Sequence, residues 1–133
     1  MTPSFQDLVE GAVAHLAPRP RIIYFEEFDS FDNAIAILED GAVRWRLLRE
    51  RSDVGVQASS SQDPEEWYDI ATTESLLGVT EPASSGYPQR TLEAAVRRIA
   101  RLRSELQRLF GPDWTVTRRS LKRSRMMKRQ LER

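Results

Sequence analysis

Between Asn33 and Ala58 the chain reads NAIAILEDGAVRWRLLRERSDVGVQA, with apolar and polar residues largely alternating. That period of two is the mark of strands with one buried face. Asp40-Gly41 reads as the two-residue turn of a hairpin that needs positive φ at both central positions. Pairing Glu39 with Ala42 then sets Leu38 against Val43, Ala36 against Trp45 and Ala34 against Leu47 on a common apolar face. The opposite face carries Ile35 and Ile37 against Arg46 and Arg44. It is half apolar, suited to a helix, a partner or only the aliphatic stems of the arginines. Arg51-Ser52-Asp53 turns the chain into a third strand, where Val54, Val56 and Ala58 alternate inward and Gly55 leaves an outward gap. An outward glycine marks a bulge or a close backbone approach without calling for a ligand.

The flanking segments change period. Ser4 is placed to cap a helix of roughly three turns whose apolar stripe runs through Phe5, Leu8, Val9, Ala12, Val13 and Leu16, ended by Pro18 and Pro20. Arg21 to Phe28 has the β-branched and aromatic content of a strand, with Ile23 and Phe25 on one side and Ile22 and Tyr24 on the other. Asp63-Pro64-Glu65-Glu66 reads as a helix start: a cap, a proline at the first helical position, and glutamates at the positive helix end. Trp67, Ile70, Ala71 and Leu77 would give that helix a broken apolar face, with Gly78 ending it. A loop rich in proline, glycine and serine follows over residues 79 to 90. Thr91 then caps a strongly amphipathic helix from Leu92 to Leu109, which Gly111-Pro112 stops. A last helix opens at Trp114 and carries a thin apolar stripe in basic surroundings. The expected fold is α+β: an antiparallel meander of three to four strands packed against an N-terminal helix and two to three C-terminal helices, with Trp45, Leu47, Val56, Ile99 and Leu106 in the core.

At 133 residues the chain fits one domain with a core of its own and needs no disulfide staples. It contains no cysteine, which excludes thiolate metal sites and thiol catalysis and fits a reducing compartment. No apolar run approaches the roughly 18 residues of a membrane-spanning helix, and no basic segment with an apolar run after it opens the chain. A cytoplasmic, membrane-free protein is expected, and arginine far exceeding lysine points to a GC-rich bacterial genome. Net charge is zero, but the charges are segregated. Residues 1–86 hold 16 acidic against 6 basic residues, and residues 87–133 hold 14 basic against 4 acidic. The two parts would neutralise each other if they lay together in one domain.

Candidate chemistry is sparse. His15, the only histidine, has no cysteine or second histidine with which to make a ligand set or a nucleophile-base pair. The acidic cluster Glu26, Glu27, Asp29 and Asp32, interleaved with Phe28 and Phe31, lacks the spacing and the glycine of a calcium loop. It reads as a solvated connection and as a surface for a partner. Arg118, Arg119, Lys122, Arg123 and Arg125 form the counterpart in the tail. With Lys128 and Arg129 they are candidate phosphate contacts, or a helix face that packs against the acidic part. No cofactor, metal or catalytic residue is indicated, and an enzyme is not expected.

Phe31-Asp32-Asn33-Ala34, Arg44-Trp45-Arg46 with Arg49-Glu50-Arg51, and Asp63-Pro64-Glu65-Glu66-Trp67-Tyr68-Asp69 together form a pattern. It resembles one in small bacterial proteins of about this length, several of them similar to immunity-type proteins that neutralise a cognate toxin by binding it. The resemblance covers roughly residues 26 to 80. It implies a non-enzymatic binding protein acting on a protein partner, such as a toxin, and brings no functional residue with it. The alternative is a nucleic-acid-associated protein that uses the basic C-terminal tail.

Overall fold

A computed structural model of the chain describes residues 3–28, 33–51, 53–79 and 91–131. The element order is α1 (Phe5–Val13), β1 (Arg21–Glu27), β2 (Ala34–Asp40), β3 (Val43–Glu50), β4 (Asp53–Ser60), β5 (Asp63–Asp69), α2 (Ile70–Leu76), α3 (Leu92–Leu109) and α4 (Trp114–Leu131). The five strands form one antiparallel meander in the order β1-β2-β3-β4-β5. This is the expected α+β architecture with one strand more than the upper expectation.

The additional strand is β5. Asp63-Pro64-Glu65-Glu66 does not start a helix; Asp63 pairs with Ser60 and the segment returns along β4. The acids that suit a helix cap have tertiary partners here: Asp63 accepts a hydrogen bond from Trp114 Nε1, and Glu66 accepts two from the Arg118 guanidinium. Pro64 is tolerated because β5 is an edge strand, where a missing N–H breaks no ladder. The helix begins only at Ile70 and ends at Leu76, and Gly78, with φ of 69°, releases the chain after the last turn.

The central hairpin keeps its predicted faces but shifts its register by two residues. The turn is Gly41-Ala42, and the pairs are Asp40 with Val43, Leu38 with Trp45 and Ala36 with Leu47. Of the two turn residues only Gly41 has positive φ, 63°, as a turn with glycine at its first central position requires. Asp40 remains paired because its buried carboxylate accepts from Trp45 Nε1 at 3.0 Å and from Arg103. A shift of two moves no side chain to the other face. In β1 a bulge between Ile22 and Tyr24 overturns the predicted alternation, so that Ile22 and Phe25 share the core side. Gly55 marks no bulge; it lies opposite Leu48 in regular pairing.

The helices gather on one face. α1 lies over β1 and β2, α3 over β3 and β4, and α2 bridges β4, β5 and α4. Ser4 caps α1 by accepting from Asp7 N, and Thr91 caps α3 by accepting from Ala94 N. α1 stops at Val13, so His15 lies beyond the helix and is exposed. Between sheet and helices one apolar cluster joins Phe5, Ala36, Trp45, Leu47, Val56, Tyr68, Ile99, Leu106, Phe110, Trp114 and Leu121. Each fully buried large side chain of this kind contributes about 1.5–3 kcal/mol. Among the described helices, α1 and α3 contribute to it at several positions, α4 through Trp114 and Leu121 and α2 through Ile70, so the acidic and basic segments share a core.

The segregated charges meet around that core. Arg98 holds Glu74 through both carboxylate oxygens, Arg103 holds Asp40 at 2.6 Å, and Arg118 holds Glu66. Each pair joins the basic segment to the acidic one.

Candidate interaction surface

Alternation leaves the second face of the sheet to Tyr24 and Glu26 from β1, Ile35 and Ile37 from β2, Arg44, Arg46 and Leu48 from β3, Gly55 and Gln57 from β4, and Trp67 and Asp69 from β5. Ile35, Ile37 and Leu48 are only half-buried and lie outside the apolar cluster, and no described helix covers them. The β2–β3 register sets Ile35 opposite Leu48 and Ile37 opposite Arg46, and Leu48 in turn faces Gly55. At Gly55 the space a side chain would fill is open, the nearest atom being Leu48 O at 3.9 Å. The centre of this face is therefore a flat apolar strip ending in bare backbone.

Arg46 is tied down within the sheet. The Arg46 guanidinium sits 4.5 Å over the Trp67 ring and donates to Gln57 Oε1, which lies directly across the register. Burial lowers the pKa of Arg46 from its ordinary value, and the Asp69 carboxylate partly offsets that. Arg44 approaches Glu39 at 4.0 Å, and Arg21 holds the same carboxylate at 2.9 Å. The carboxylates of the rim point to solvent: Glu26, Glu50, Asp53 and Asp69 are all exposed. The Tyr24 hydroxyl donates to Glu26, and this bond, ahead of the slight burial, raises the tyrosine pKa. An apolar centre with fixed guanidinium groups and an acidic rim favours a partner that brings apolar side chains surrounded by cations.

The acidic cluster expected from the sequence is divided. Glu26 belongs to this rim, whereas Glu27 points to the helix side and accepts from Phe5 N at 2.7 Å, fixing the start of α1. Asp29 and Asp32 lie outside the described residues. Among the described residues no group of three metal-ligating side chains exists.

The basic tail is divided too. Arg118 pairs with Glu66 and Asp63, and Lys122 approaches Glu66 at 3.9 Å. Arg125 stacks 4.2 Å over the Tyr68 ring and donates to Trp67 O. The Arg118 bond lowers the Glu66 pKa, and Arg118 is itself held more firmly protonated. Arg119 and Arg123 are exposed, on the side of α4 that also exposes Val116, Met126 and Met127. Three of the five predicted tail contacts thus bind the chain's own β5.

Sequence reasoning named Ile35, Ile37, Arg44 and Arg46 as the half-apolar second face. It missed Trp67, Asp69 and Leu48, because β5 was read as a helix and the hairpin register was two residues off. The alternation of Glu66 and Tyr68 with Trp67 and Asp69 carried the signal for β5. Comparison with known proteins returns no matching family model, no matching curated protein and no matching solved structure.

Proposed function

We propose that the protein is a non-enzymatic binding module that docks a basic protein partner on the open face of its sheet, in the manner of an immunity-type inhibitor. One observation carries this reading: the half-buried strip of Ile35, Ile37 and Leu48 has no covering helix and is rimmed by exposed carboxylates. Burying such a strip under a partner supplies the hydrophobic gain, and the rim supplies orientation and encounter rate. A cysteine-free chain is at home in a bacterial cytoplasm, where we place it. Among the described residues no helix is long and apolar enough to cross a membrane.

The test is capture of a partner from the host by the native chain beside I37E and L48E, both folded by circular dichroism. A cationic protein retained by the native chain and lost at least tenfold in both variants supports the reading. Equal capture by all three chains, or no specific protein, overturns it.

Nucleic-acid contact through α4 is the second reading, favoured by the exposure of Arg119 and Arg123. With about two phosphate contacts the log-log salt slope on duplex DNA would be near −2. Salt-insensitive retention, or none, removes this reading.

A further inference from the structure

The two edges of the sheet are treated differently. β5 is blunted by Pro64 and by Arg125 of α4, which donates to Trp67 O. These are the devices that keep a sheet edge from pairing with another chain. β1, RIIYFEE, has neither proline nor lysine and is exposed over most of its length, with Ile23 and Tyr24 36% and 46% accessible. Among the described residues, its outward row of backbone N–H and C=O groups has no strand beside it in the order β1-β2-β3-β4-β5.

We propose that a second copy of this chain pairs antiparallel with β1, edge to edge, about a two-fold axis between Ile23 and Tyr24, continuing the sheet to ten strands. The bulge sets the register. Paired residues must lie on the same face, and in a regular strand Arg21 and Glu26, five positions apart, lie on opposite faces. The extra residue between Ile22 and Tyr24 reverses that parity: Arg21 and Glu26 both face the open side, while Ile22 and Phe25 both face the helix side. Setting Arg21 opposite Glu26 therefore puts Ile22 opposite Phe25, each pair on one face, and brings the bulge residue Ile23 opposite Tyr24 at the axis.

The chemistry of each pair fits its place. Arg21, whose side chain is 73% exposed, lies between Glu39 on its own β2 and Glu26 of the second copy. Both ends of the ladder gain an opposite-charge pair beyond the backbone bonds. On the helix side Ile22 lines a groove of about 290 Å³ beside Val13 and Pro20, and the second copy's Phe25 would stand at its mouth. Because the axis runs across the sheet, the helices of both copies lie on one side and both open faces on the other. The contact is isologous, so it closes at two copies.

The experiment is sedimentation velocity on the full chain from micromolar to about 1 mM, a range that captures weak pairing. It is run on the native sequence, R21E, E26R and the double variant R21E/E26R. Each single substitution faces like charges across the two-fold axis and is expected to weaken the dimer at least tenfold, while the double variant regains it. Melting curves of the four chains confirm that the exposed substitutions leave the fold intact. Hydrogen exchange of the native chain should slow with concentration at β1 amides and stay constant at β5. L48E, two strands away from the edge on β3, should leave dimerisation unchanged. A chain monomeric at about 1 mM, a dimer indifferent to R21E, or a double variant that fails to regain pairing overturns the proposal.

Discussion

Leu47 and Leu48 are identical in chemistry and adjacent in sequence, yet Leu47 is fully buried and Leu48 only half-buried. The same contrast repeats between Ala36 and Ile37, where the larger side chain is the one left accessible. Strand parity, not hydrophobicity, decides which residues the helices cover. The covered face is deep, with an indole and a carboxylate meeting at Trp45 and Asp40. The other face keeps Ile35, Ile37 and Leu48 half-buried, with no described helix over them.

The strongest way to break the comparison is on the covered side. Trp45→Ala would empty the centre of the cluster and remove a donor from the buried Asp40, at a cost of about 3–5 kcal/mol in chemical denaturation. Arg103→Ala leaves Asp40 with its charge uncompensated beneath α3, and about 3 kcal/mol should be lost. If either melts like the native chain, the helices do not depend on this face as described. Glu66→Gln is a smaller and pH-dependent probe. The Arg118 bond lowers the Glu66 pKa below its ordinary 4.5, so the pair stabilises the fold above about pH 4.5 and that contribution is lost as pH falls through the lowered value. Thermal melts between neutral and acid pH should therefore show a shallower acid decline for the glutamine variant than for the native chain. The smallest effect belongs to the open face. Ile37→Ser and Leu48→Ser should each change stability by no more than about 0.5–1 kcal/mol, while abolishing capture of the partner. A large loss of stability from either would mean that this face is part of the core.

What the sequence made legible follows from how local each signal is. α3 could be bounded to the residue, Leu92 to Leu109, because its capping threonine, its steady apolar spacing and the Gly-Pro stop all act within one turn of the chain. The faces of β2, β3 and β4 were legible for the same reason. The register was not, because the Asp40 carboxylate that keeps the residue in the ladder is held by Trp45 and by Arg103, the latter 63 positions away. β5 was misread because Asp-Pro-Glu-Glu carries a helix-start signal at short range, and the groups that redirect it, Trp114 and Arg118, lie about 50 positions further on. The second face of the sheet was visible as half apolar. That no described helix covers it is a property of how all four helices share the other side, which no local window contains.

Gln107 gives the molecule a practical geography. Its side-chain amide donates to Asp40 O at 2.7 Å and accepts from Ala42 N at 2.9 Å, so a residue of α3 closes the β2–β3 turn as a third strand would. A methyl group added at Gly41 would crowd that amide, and one at Gly111 would meet Gln107 O at 2.5 Å. A side chain is therefore disfavoured at both positions, at Gly41 also by its φ of 63°. Gly11, on the outer side of α1, has nothing within 4 Å of such a group. In a chain without a native thiol, a single cysteine there gives a reporter that attaches at one place and leaves both faces and both edges of the sheet unmarked.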